Sequence, residues 1–249
     1  MNGFADHFSE VADRYFAARP HYPRALADWL AGAAPARALA WEAGCGSGQF
    51  TALLAERFER VRATDASAEQ LARAAPHARV DYGVARAEDS GLPDASADLV
   101  CAAQAAHWFD LPAFYAEARR VARPRALLAL FCYGRGAIAP EVDAAVAAYH
   151  DGAAGPHWPA ERAHVETAYR SLPFPFTELA APAFALEARW NVSQFLDYAS
   201  TWSATQRQRA SEGPQAFGAF ADRLTRVWGD PAAPRTVRWP IGLRAARLP

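Results

Sequence analysis

The sequence contains no lysine, and this is the first of several absences that narrow its function. All 26 basic residues are arginine, and 27 Asp and Glu residues balance them to a formal net charge of −1. Without a surplus of positive charge, the chain has no electrostatic field with which to hold a phosphate backbone. We therefore expect no nucleic-acid partner.

Cysteines and long apolar runs are also scarce. Cys45, Cys101 and Cys132 are an odd number without paired spacing, so we expect no disulfide framework and a reducing cytoplasm. No apolar run approaches the roughly 20 residues that span a bilayer. The first 20 residues carry charge throughout, which is unlike a signal peptide. These absences predict a cytoplasmic protein without a membrane partner, and we expect a monomer or a homodimer.

The chain does contain a regular alternation of short apolar segments with helical ones. The apolar segments indicate strands at 38–41, 61–65, 79–84, 98–103 and 126–133. Strands that alternate with helices form right-handed βαβ units around a parallel sheet that is covered on both faces. The pattern therefore predicts an α/β fold with a Rossmann-like, doubly wound, mostly parallel sheet.

Two later segments extend this sheet. Residues 184–190 alternate like a strand, and 235–243 predict a last strand despite Pro240, which suits a sheet edge or a bulge. We expect both as antiparallel additions, which gives seven strands. The helices are predicted at 23–32, 50–54, 67–75, 111–122, 140–150, 160–171, 193–203 and 214–228. We expect a single domain over 1–249, divided into N-terminal helices at 1–36, a core at 37–136, and a helical cap with the final strands at 137–249.

Ligands of such sheets bind outside the carboxyl ends of the strands. The segments to inspect are therefore those that directly follow the predicted strands. They are 42–48, 65–67, 85–89, 104–110 and 133–136.

A glycine-rich turn follows the first predicted strand. Residues 42–48 read Glu-Ala-Gly-Cys-Gly-Ser-Gly, and such a turn lets a ligand approach the backbone at the start of the next helix. The dinucleotide pattern G-x-G-x-x-G would place its third glycine at position 49, which is Gln49. Asp65 ends the next strand about twenty residues on, where an acidic side chain holds ribose hydroxyls. From these residues alone, a nicotinamide enzyme remains an alternative.

The turn resembles the first motif of class I S-adenosylmethionine-dependent methyltransferases, and the loop at 87–100 resembles their third and fourth motifs. The resemblance implies S-adenosyl-L-methionine as cofactor, with the turn around its amino-acid part and Asp65 on its ribose. Glu88 or Asp89 matches the acidic residue on its adenine, and Glu88, directly after Ala87, is the preferred one. Gln104 and Ala105 would approach the methionine part through their backbone. The implied cofactor-binding residues in this part of the chain are Glu42, Ala43, Gly44, Cys45, Gly46, Asp65, Ala66, Ala87, Glu88, Gln104 and Ala105.

A narrower resemblance covers nearly the whole chain. The segment Gln-Ala-Ala-His-Trp-Phe at 104–109 and the N-terminal residues up to Pro23 resemble the trans-aconitate methyltransferase-like branch, which includes enzymes that methylate small carboxylates. It implies that Tyr15 and Arg19 close over the cofactor, with Arg19 pairing with its carboxylate. Residues 104–109 lack the Asn/Asp-Pro-Pro-aromatic tetrad of amino-group methyltransferases that act on DNA or on protein glutamine. We therefore expect a small-molecule acceptor.

His107 is the candidate catalytic base, because it follows the fourth strand. A base is needed only if the acceptor still carries a proton, and His107 can instead be a structural histidine. We expect O-methylation of a carboxylate or hydroxyl. C- or N-methylation of a metabolite, a cofactor-binding module without catalysis, and a nicotinamide oxidoreductase remain alternatives. The candidate acceptor-site residues are Tyr133, Arg135, Trp158, Tyr198, Trp202, Ser203 and Arg207.

No metal is expected. His150, His157 and His164 lie near one another in the sequence, but their spacing does not give a pair of ligands on one helix with a third ligand nearby.

Overall fold

A computed structural model describes residues 20–249 of the chain. Tyr15 and Arg19 lie outside these residues. The chain forms two compact units by the density of its internal contacts. We call Tyr22–Arg135, Glu161–Leu186 and Pro240–Pro249 the sheet unit, and Gly136–Ala160 with Glu187–Trp239 the helical unit. The expectation of a single domain stays a prediction.

Seven strands form one sheet in the order β3-β2-β1-β4-β5-β7-β6. Strands β1 to β5 are parallel neighbours, and β7 runs antiparallel to β5. The strands are β1 Leu39–Ala43, β2 Arg60–Asp65, β3 Val80–Val84, β4 Ala97–Ala103, β5 Ala122–Tyr133, β6 Ala185–Trp190 and β7 Arg235–Arg247. The prediction of a mostly parallel, Rossmann-like seven-stranded sheet with antiparallel additions is confirmed.

The described α-helices connect the strands of the sheet and also form much of the chain after residue 136. They are α1 Arg24–Ala33, α2 Thr51–Ala55, α3 Ala68–Leu71, α4 Leu111–Val121, α5 Pro140–Ala147, α6 Ala163–Glu166, α7 Val192–Ser200, α8 Ser203–Glu212 and α9 Gln215–Trp228. A short 3₁₀ helix, Ala106–Trp108, lies between β4 and α4. No helix within residues 20–249 has the length and apolar character needed to cross a bilayer.

The core of the sheet unit lies around its central strands. Residues 97–102 of β4 and 126–133 of β5 are buried along their whole length, as expected of parallel strands that helices cover on both faces. Trp41 of β1 is fully buried, and its indole N–H donates a 3.0 Å hydrogen bond to the Thr64 hydroxyl of β2. The polar edge of this large side chain is thus satisfied inside the core.

Three sequence expectations differ from the structure. Only Ala68–Leu71 of the segment 67–75 is α-helical, and Ser203–Glu212 forms a helix that the sequence did not indicate. The segment 160–171 contains only a 3₁₀ turn and the four-residue α6, because Ala168 and Tyr169 take left-handed backbone angles of φ 51° and 61° that end the helix.

Pro240 does not mark a sheet edge, because β7 lies between β5 and β6. The last paired residue of β7 with β5 is Ile241, opposite Tyr133. Pro240 therefore lies one residue beyond that ladder, where its missing N–H removes no hydrogen bond to β5.

Candidate functional site

The glycine turn after β1 has three left-handed glycines with different surroundings. Gly44, Gly46 and Gly48 have φ angles of 67°, 55° and 82°. A Cβ on Gly44 would stand 2.5 Å from the Cβ of Ala105, and one on Gly48 would stand 2.7 Å from the Tyr82 hydroxyl. A Cβ on Gly46 would meet no atom within 4 Å. Two glycines are therefore required by packing within the protein, whereas Gly46 borders open space.

Asp65 fastens this turn to the end of β2. One carboxylate oxygen accepts a 2.8 Å hydrogen bond from the backbone N–H of Gly46, and the other accepts one of 2.8 Å from Ser67. The carboxylate thereby fixes the relative position of the turn and the β2 end. The acidic residue that the sequence singled out therefore lies beside the glycine turn.

Glu42, at the start of the turn, is a buried carboxyl group. It is 1% exposed, and its carboxyl accepts a 2.5 Å hydrogen bond from the Thr51 hydroxyl at the start of α2. Burial raises the pKa of Glu42 to about 8; the Thr51 hydrogen bond acts against this increase and the nearby Asp65 charge adds to it. Glu42 is therefore largely protonated at neutral pH.

The loop after β3 holds Glu88 as a charged acceptor. Although burial alone would raise its pKa, a 2.9 Å hydrogen bond from the Asp110 backbone N–H and a 3.1 Å contact with Arg86 lower the pKa of Glu88. Next in the loop, Ser90 donates from its N–H and its hydroxyl to the Glu117 carboxylate of α4. Glu117 thus anchors this loop to the helix behind it.

Gln104 joins the carboxyl ends of β4 and β5. Its amide nitrogen donates to the Tyr133 carbonyl at 3.0 Å, and its amide oxygen accepts from the Tyr133 N–H at 2.9 Å. Gln104 takes a left-handed backbone with φ 58°, which is costly for a residue with a side chain. Both ends of its side-chain amide are engaged and its backbone N–H donates to the Phe131 carbonyl at 2.8 Å, so this residue can offer a ligand its backbone carbonyl.

His107 follows directly, in the 3₁₀ helix. Its Nδ1 lies 2.8 Å from the hydroxyl of Tyr169, and its ring centre lies 4.8 Å from that of Trp108, whose side chain is exposed. Burial lowers the pKa of His107 to about 4, with a further decrease from the charges of Arg162 and His164. The imidazole is therefore neutral at pH 7. Within the described chain no hydrogen bond reaches its Nε2.

These contacts connect the strand-end segments that the sequence selected. The turn at 42–48 touches Asp65, Tyr82 of β3 and Ala105 after β4. Glu88 bonds to Asp110. The structure therefore brings the described candidate cofactor residues to one edge of the sheet, at the carboxyl ends of β1 to β5.

The candidate acceptor-site residues divide between the two units. Tyr133 and Arg135 belong to the sheet unit, whereas the other five belong to the helical unit: Trp158, Tyr198, Trp202, Ser203 and Arg207. In residues 20–249 no three His, Cys, Asp or Glu side chains lie close enough together to hold a metal ion.

Sequence reasoning missed three side chains that shape the site. Thr51 follows the glycine turn closely enough that its hydroxyl could have been linked to Glu42. Glu117 and Tyr169 gave no such signal, because they lie 27 and 62 residues from their partners Ser90 and His107. Tyr169 was also assigned to a helix that ends before it.

The strand order, the glycine turn and the acid at the end of β2 together define a class I S-adenosylmethionine-dependent methyltransferase. The methyltransferase-domain family matches residues 41–130 of the chain. A solved structure from Anaeromyxobacter dehalogenans, described as a type II methyltransferase, is 52% identical. The match covers 93% of this chain and 99% of that one, with a TM-score of 0.87.

Two relatives extend the comparison. A Dictyostelium discoideum protein named as a methyltransferase is 32% identical over 204 residues, which are 80% of this chain and 78% of that protein. A malonyl-[acyl-carrier protein] O-methyltransferase from Serratia marcescens is 34% identical over 102 residues, 39% of each chain. The chain belongs to the methyltransferase family, and S-adenosylmethionine is its methyl donor.

Proposed function

We propose that this methyltransferase transfers the methyl group to an oxygen atom of a small molecule, a carboxylate or a hydroxyl. The observation that carries this proposal is the neutral imidazole of His107, which lies after β4 and leaves Nε2 without a protein partner in the described chain. A neutral ring can serve an oxygen acceptor either by accepting a proton or by donating a hydrogen bond. The O-methyltransferase name of the Serratia relative supports the same chemistry.

The residues around the glycine turn fit the methyl donor. Open space beside Gly46 leaves room for a ligand against the backbone. The carboxyl group of Glu42, protonated in the free protein, would ionise to pair with the ammonium group of the cofactor, and Asp65 keeps lone pairs for ribose hydroxyls after its two backbone bonds. The proposed cofactor site in the described chain comprises Glu42, Ala43, Gly44, Cys45, Gly46, Asp65, Ala66, Ala87, Glu88, Gln104 and Ala105.

The adenine and methionine ends have separate supports in this proposal. Ionised Glu88 is an acceptor for the amino group of adenine, beside the buried backbone of Ala87. Ala105 would offer its backbone, and Gln104 its backbone carbonyl, because the Gln104 side chain is bound to Tyr133 and its backbone N–H to Phe131. Tyr15 and Arg19 belong to the proposal through the family resemblance alone. The donor supplies an activated methyl group, so the protein's part is orientation and exclusion of water.

A labelled-methyl assay tests the oxygen acceptor. The protein is incubated with S-adenosylmethionine labelled in its methyl group and a panel of small carboxylic acids, phenols, alcohols and amines. We expect label in the acids or the hydroxyl compounds, and alkali would release it from a methyl ester but not from an ether. Label confined to amines or carbon atoms would replace this proposal by N- or C-methylation.

A thermal-shift experiment tests the cofactor site independently of the acceptor. S-adenosylmethionine and its demethylated product should raise the melting temperature, whereas NAD should not. If S-adenosylmethionine and its demethylated product both stabilise the protein but no compound of the panel is methylated, the result would favour a cofactor-binding module without catalysis. We keep three predictions from the sequence as part of this proposal: no nucleic-acid partner, a cytoplasmic location, and a monomer or homodimer.

A further inference from the structure

We propose that Tyr169 is a positioning residue that fixes His107 as the tautomer with its proton on Nε2, so that His107 presents a hydrogen-bond donor rather than a base to the methyl acceptor. This inference rests on the proposed function of the same site. It concerns Nε2, the ring nitrogen of His107 to which no residue within 20–249 makes a hydrogen bond. The argument depends on where the hydrogens around the Tyr169 hydroxyl can be.

Tyr169 reaches His107 from a distant part of the chain. Its side chain is fully buried, so its hydroxyl cannot give its hydrogen to bulk water. His107 Nδ1 is the one hydrogen-bond acceptor that this hydroxyl reaches among the described residues. A buried donor left without an acceptor would destabilise the fold.

A hydroxyl group has one hydrogen and two lone pairs. Because the Tyr169 hydroxyl is buried, its hydrogen must point to an acceptor in the protein. His107 Nδ1, 2.8 Å away, is that acceptor. A neutral imidazole that accepts at Nδ1 carries its proton on Nε2.

Tyr169 is held firmly enough to select one tautomer. Its side chain is fully buried, and its backbone is left-handed with φ 61°. Arg244 of β7 donates to the carbonyls of Tyr169 at 3.2 Å and Leu172 at 2.7 Å. A buried ring on a pinned backbone has little freedom to turn its hydroxyl away from His107.

Burial is the main cause that lowers the pKa of His107 and keeps the ring neutral, and the surrounding charges add to it. Arg162 and His164 of the segment around α6 oppose a second proton on the ring, and Glu161 favours it less strongly. The Tyr169 hydroxyl faces the ring from the turn that follows α6. His107 therefore holds one proton, and the hydroxyl decides which nitrogen carries it.

A donor at Nε2 suits an acceptor oxygen that arrives already ionised. In the transfer, a carboxylate oxygen forms a bond to the methyl carbon while the carbon–sulfur bond breaks and its electron pair moves to sulfur. The products are a methyl ester and a neutral thioether, and no proton is left over. Nε2–H can hold the second carboxylate oxygen without giving up its proton.

The tautomer is measured directly by nitrogen NMR of the full chain with ¹⁵N-labelled histidine at pH 7. The chain has seven histidines, and the missing resonance in His107→Gln assigns His107. We expect a protonated Nε2 and an unprotonated Nδ1. The reverse pattern overturns the proposal, and it does so without an acceptor, so this failure is separate from failure of the methyl-transfer assay.

Removal of the Tyr169 hydroxyl tests whether this residue determines the tautomer of His107. Tyr169→Phe should populate the other tautomer of His107. Tyr115→Phe is the matched control, because Tyr115 is also a buried core tyrosine and its hydroxyl donates at 2.7 Å to the Pro173 carbonyl, away from His107. An unchanged tautomer in a folded Tyr169→Phe variant overturns the positioning role. If that variant does not fold, the measurement on the natural chain still decides the proposal.

Activity on an acid of the panel separates a donor from a base. His107→Gln keeps an N–H donor but has no basic nitrogen, whereas His107→Ala has neither. For a donor, we expect His107→Gln to keep kcat within about 10-fold of the natural chain and His107→Ala to raise KM. A loss of roughly 10²–10⁴-fold in kcat in both variants would show general-base catalysis instead.

Discussion

Gly44 and Ala105 approach so closely that a Cβ on residue 44 would stand 2.5 Å from the Cβ of Ala105. The same Cβ would meet the Phe109 ring at 3.2 Å. The contact joins the glycine turn after β1 to the segment after β4. Any side chain at this position would push apart two segments of the proposed cofactor site.

Gly44→Ala should therefore destabilise the fold. The left-handed backbone costs a residue with a Cβ about 1–2 kcal/mol, and the overlap with Ala105 adds roughly 1–3 kcal/mol. We expect the free energy of unfolding to fall by about 2–5 kcal/mol in urea titrations. An undiminished unfolding free energy would contradict the close approach.

Gly46→Ala is the matched comparison, because a Cβ there meets no protein atom within 4 Å. Its cost to stability should be limited to the backbone, about 1–2 kcal/mol. The methyl group would nevertheless occupy space that we assign to the methyl donor. We expect weaker S-adenosylmethionine binding by calorimetry, and unchanged affinity would remove Gly46 from the site.

Asp65→Asn tests the proposed ribose contact. The change removes the negative charge and one of the two acceptor oxygens that hold Gly46 and Ser67. Because hydrogen bonds to charged groups contribute about 1.5–3 kcal/mol, we expect S-adenosylmethionine affinity to fall roughly 10- to 100-fold in calorimetric titrations. Asp81→Asn is the control, since its exposed carboxylate pairs with Arg62 within β2 and β3. Equal losses in both variants would contradict a specific role for Asp65.

Glu42 should make stability depend on pH. Its pKa is about 8 in the folded protein, against a usual value of 4.5. Between these values the unfolded chain binds fewer protons at this group than the folded one, so the contribution of Glu42 to stability is fully present below pH 4.5 and is lost as pH rises toward 8. The slope for one proton is at most about 1.4 kcal/mol per pH unit.

Glu42→Gln keeps an acceptor for Thr51 but cannot ionise. Urea titrations at pH 5 and pH 8 should show the natural chain losing more stability than Glu42→Gln. Parallel pH profiles of the two proteins would rule out a buried protonated carboxyl group. The measurement is made without S-adenosylmethionine, since a bound cation would favour the ionised form.

Glu117→Gln should loosen the loop after β3. The substitution weakens the bonds to Ser90 and removes the ion pair with Arg120, whose guanidinium approaches the carboxylate at 2.7 Å. We expect a loss of about 1–3 kcal/mol in unfolding free energy at pH 7. Glu69→Gln removes an exposed ion pair with Arg73 and should cost less than about 1 kcal/mol.

The Glu117 contribution should vanish in acid. Arg120 and Ser90 overcome the effect of burial and lower the pKa of Glu117 to about 2. This stability is therefore present above the usual pKa of 4.5 and is lost as pH falls toward 2. The natural chain and Glu117→Gln should have equal unfolding free energies near pH 2. A difference in unfolding free energy that does not change with pH would contradict an ionised Glu117 carboxylate.

Arg19→Ala tests the prediction that rests on resemblance alone. If Arg19 pairs with the carboxylate of the cofactor, its loss should weaken S-adenosylmethionine binding in calorimetry by roughly 10-fold or more. Arg60→Ala, in β2 at the opposite end of that strand from Asp65, serves as the control. Unchanged affinity in Arg19→Ala would remove this residue from the cofactor site.

The sheet and its glycine turn were predictable because local signals carry them. Apolar strands alternate with helices, and Glu42 to Gly48 and Asp65 follow two of the strands directly. In this part of the chain the apolar periodicity and the turn residues indicate the same elements, so residues close in sequence are enough to predict the fold. The suggestion that Pro240 marks a sheet edge was wrong, because whether β7 is an edge depends on which strands pair with it.

The acceptor side was less predictable for a physical reason. In our proposal, the Tyr169 hydroxyl decides whether His107 is a base or a donor, and Tyr169 lies 62 residues away in sequence. The segment 160–171 has helical periodicity, but left-handed Ala168 and Tyr169 end the helix. Their conformation is stabilised by Arg244, which comes from the last strand and gives no local signal.

Gln104 has a consequence for which sequences this site tolerates. Position 104 needs a left-handed backbone, an acceptor and a donor on one planar group, and enough length to reach both backbone atoms of Tyr133. Glycine meets only the first requirement, asparagine is one methylene shorter, and glutamate lacks the donor. Libraries randomised at this codon should therefore return glutamine far more often than residues of similar size, even though its side chain contacts no part of the chemistry.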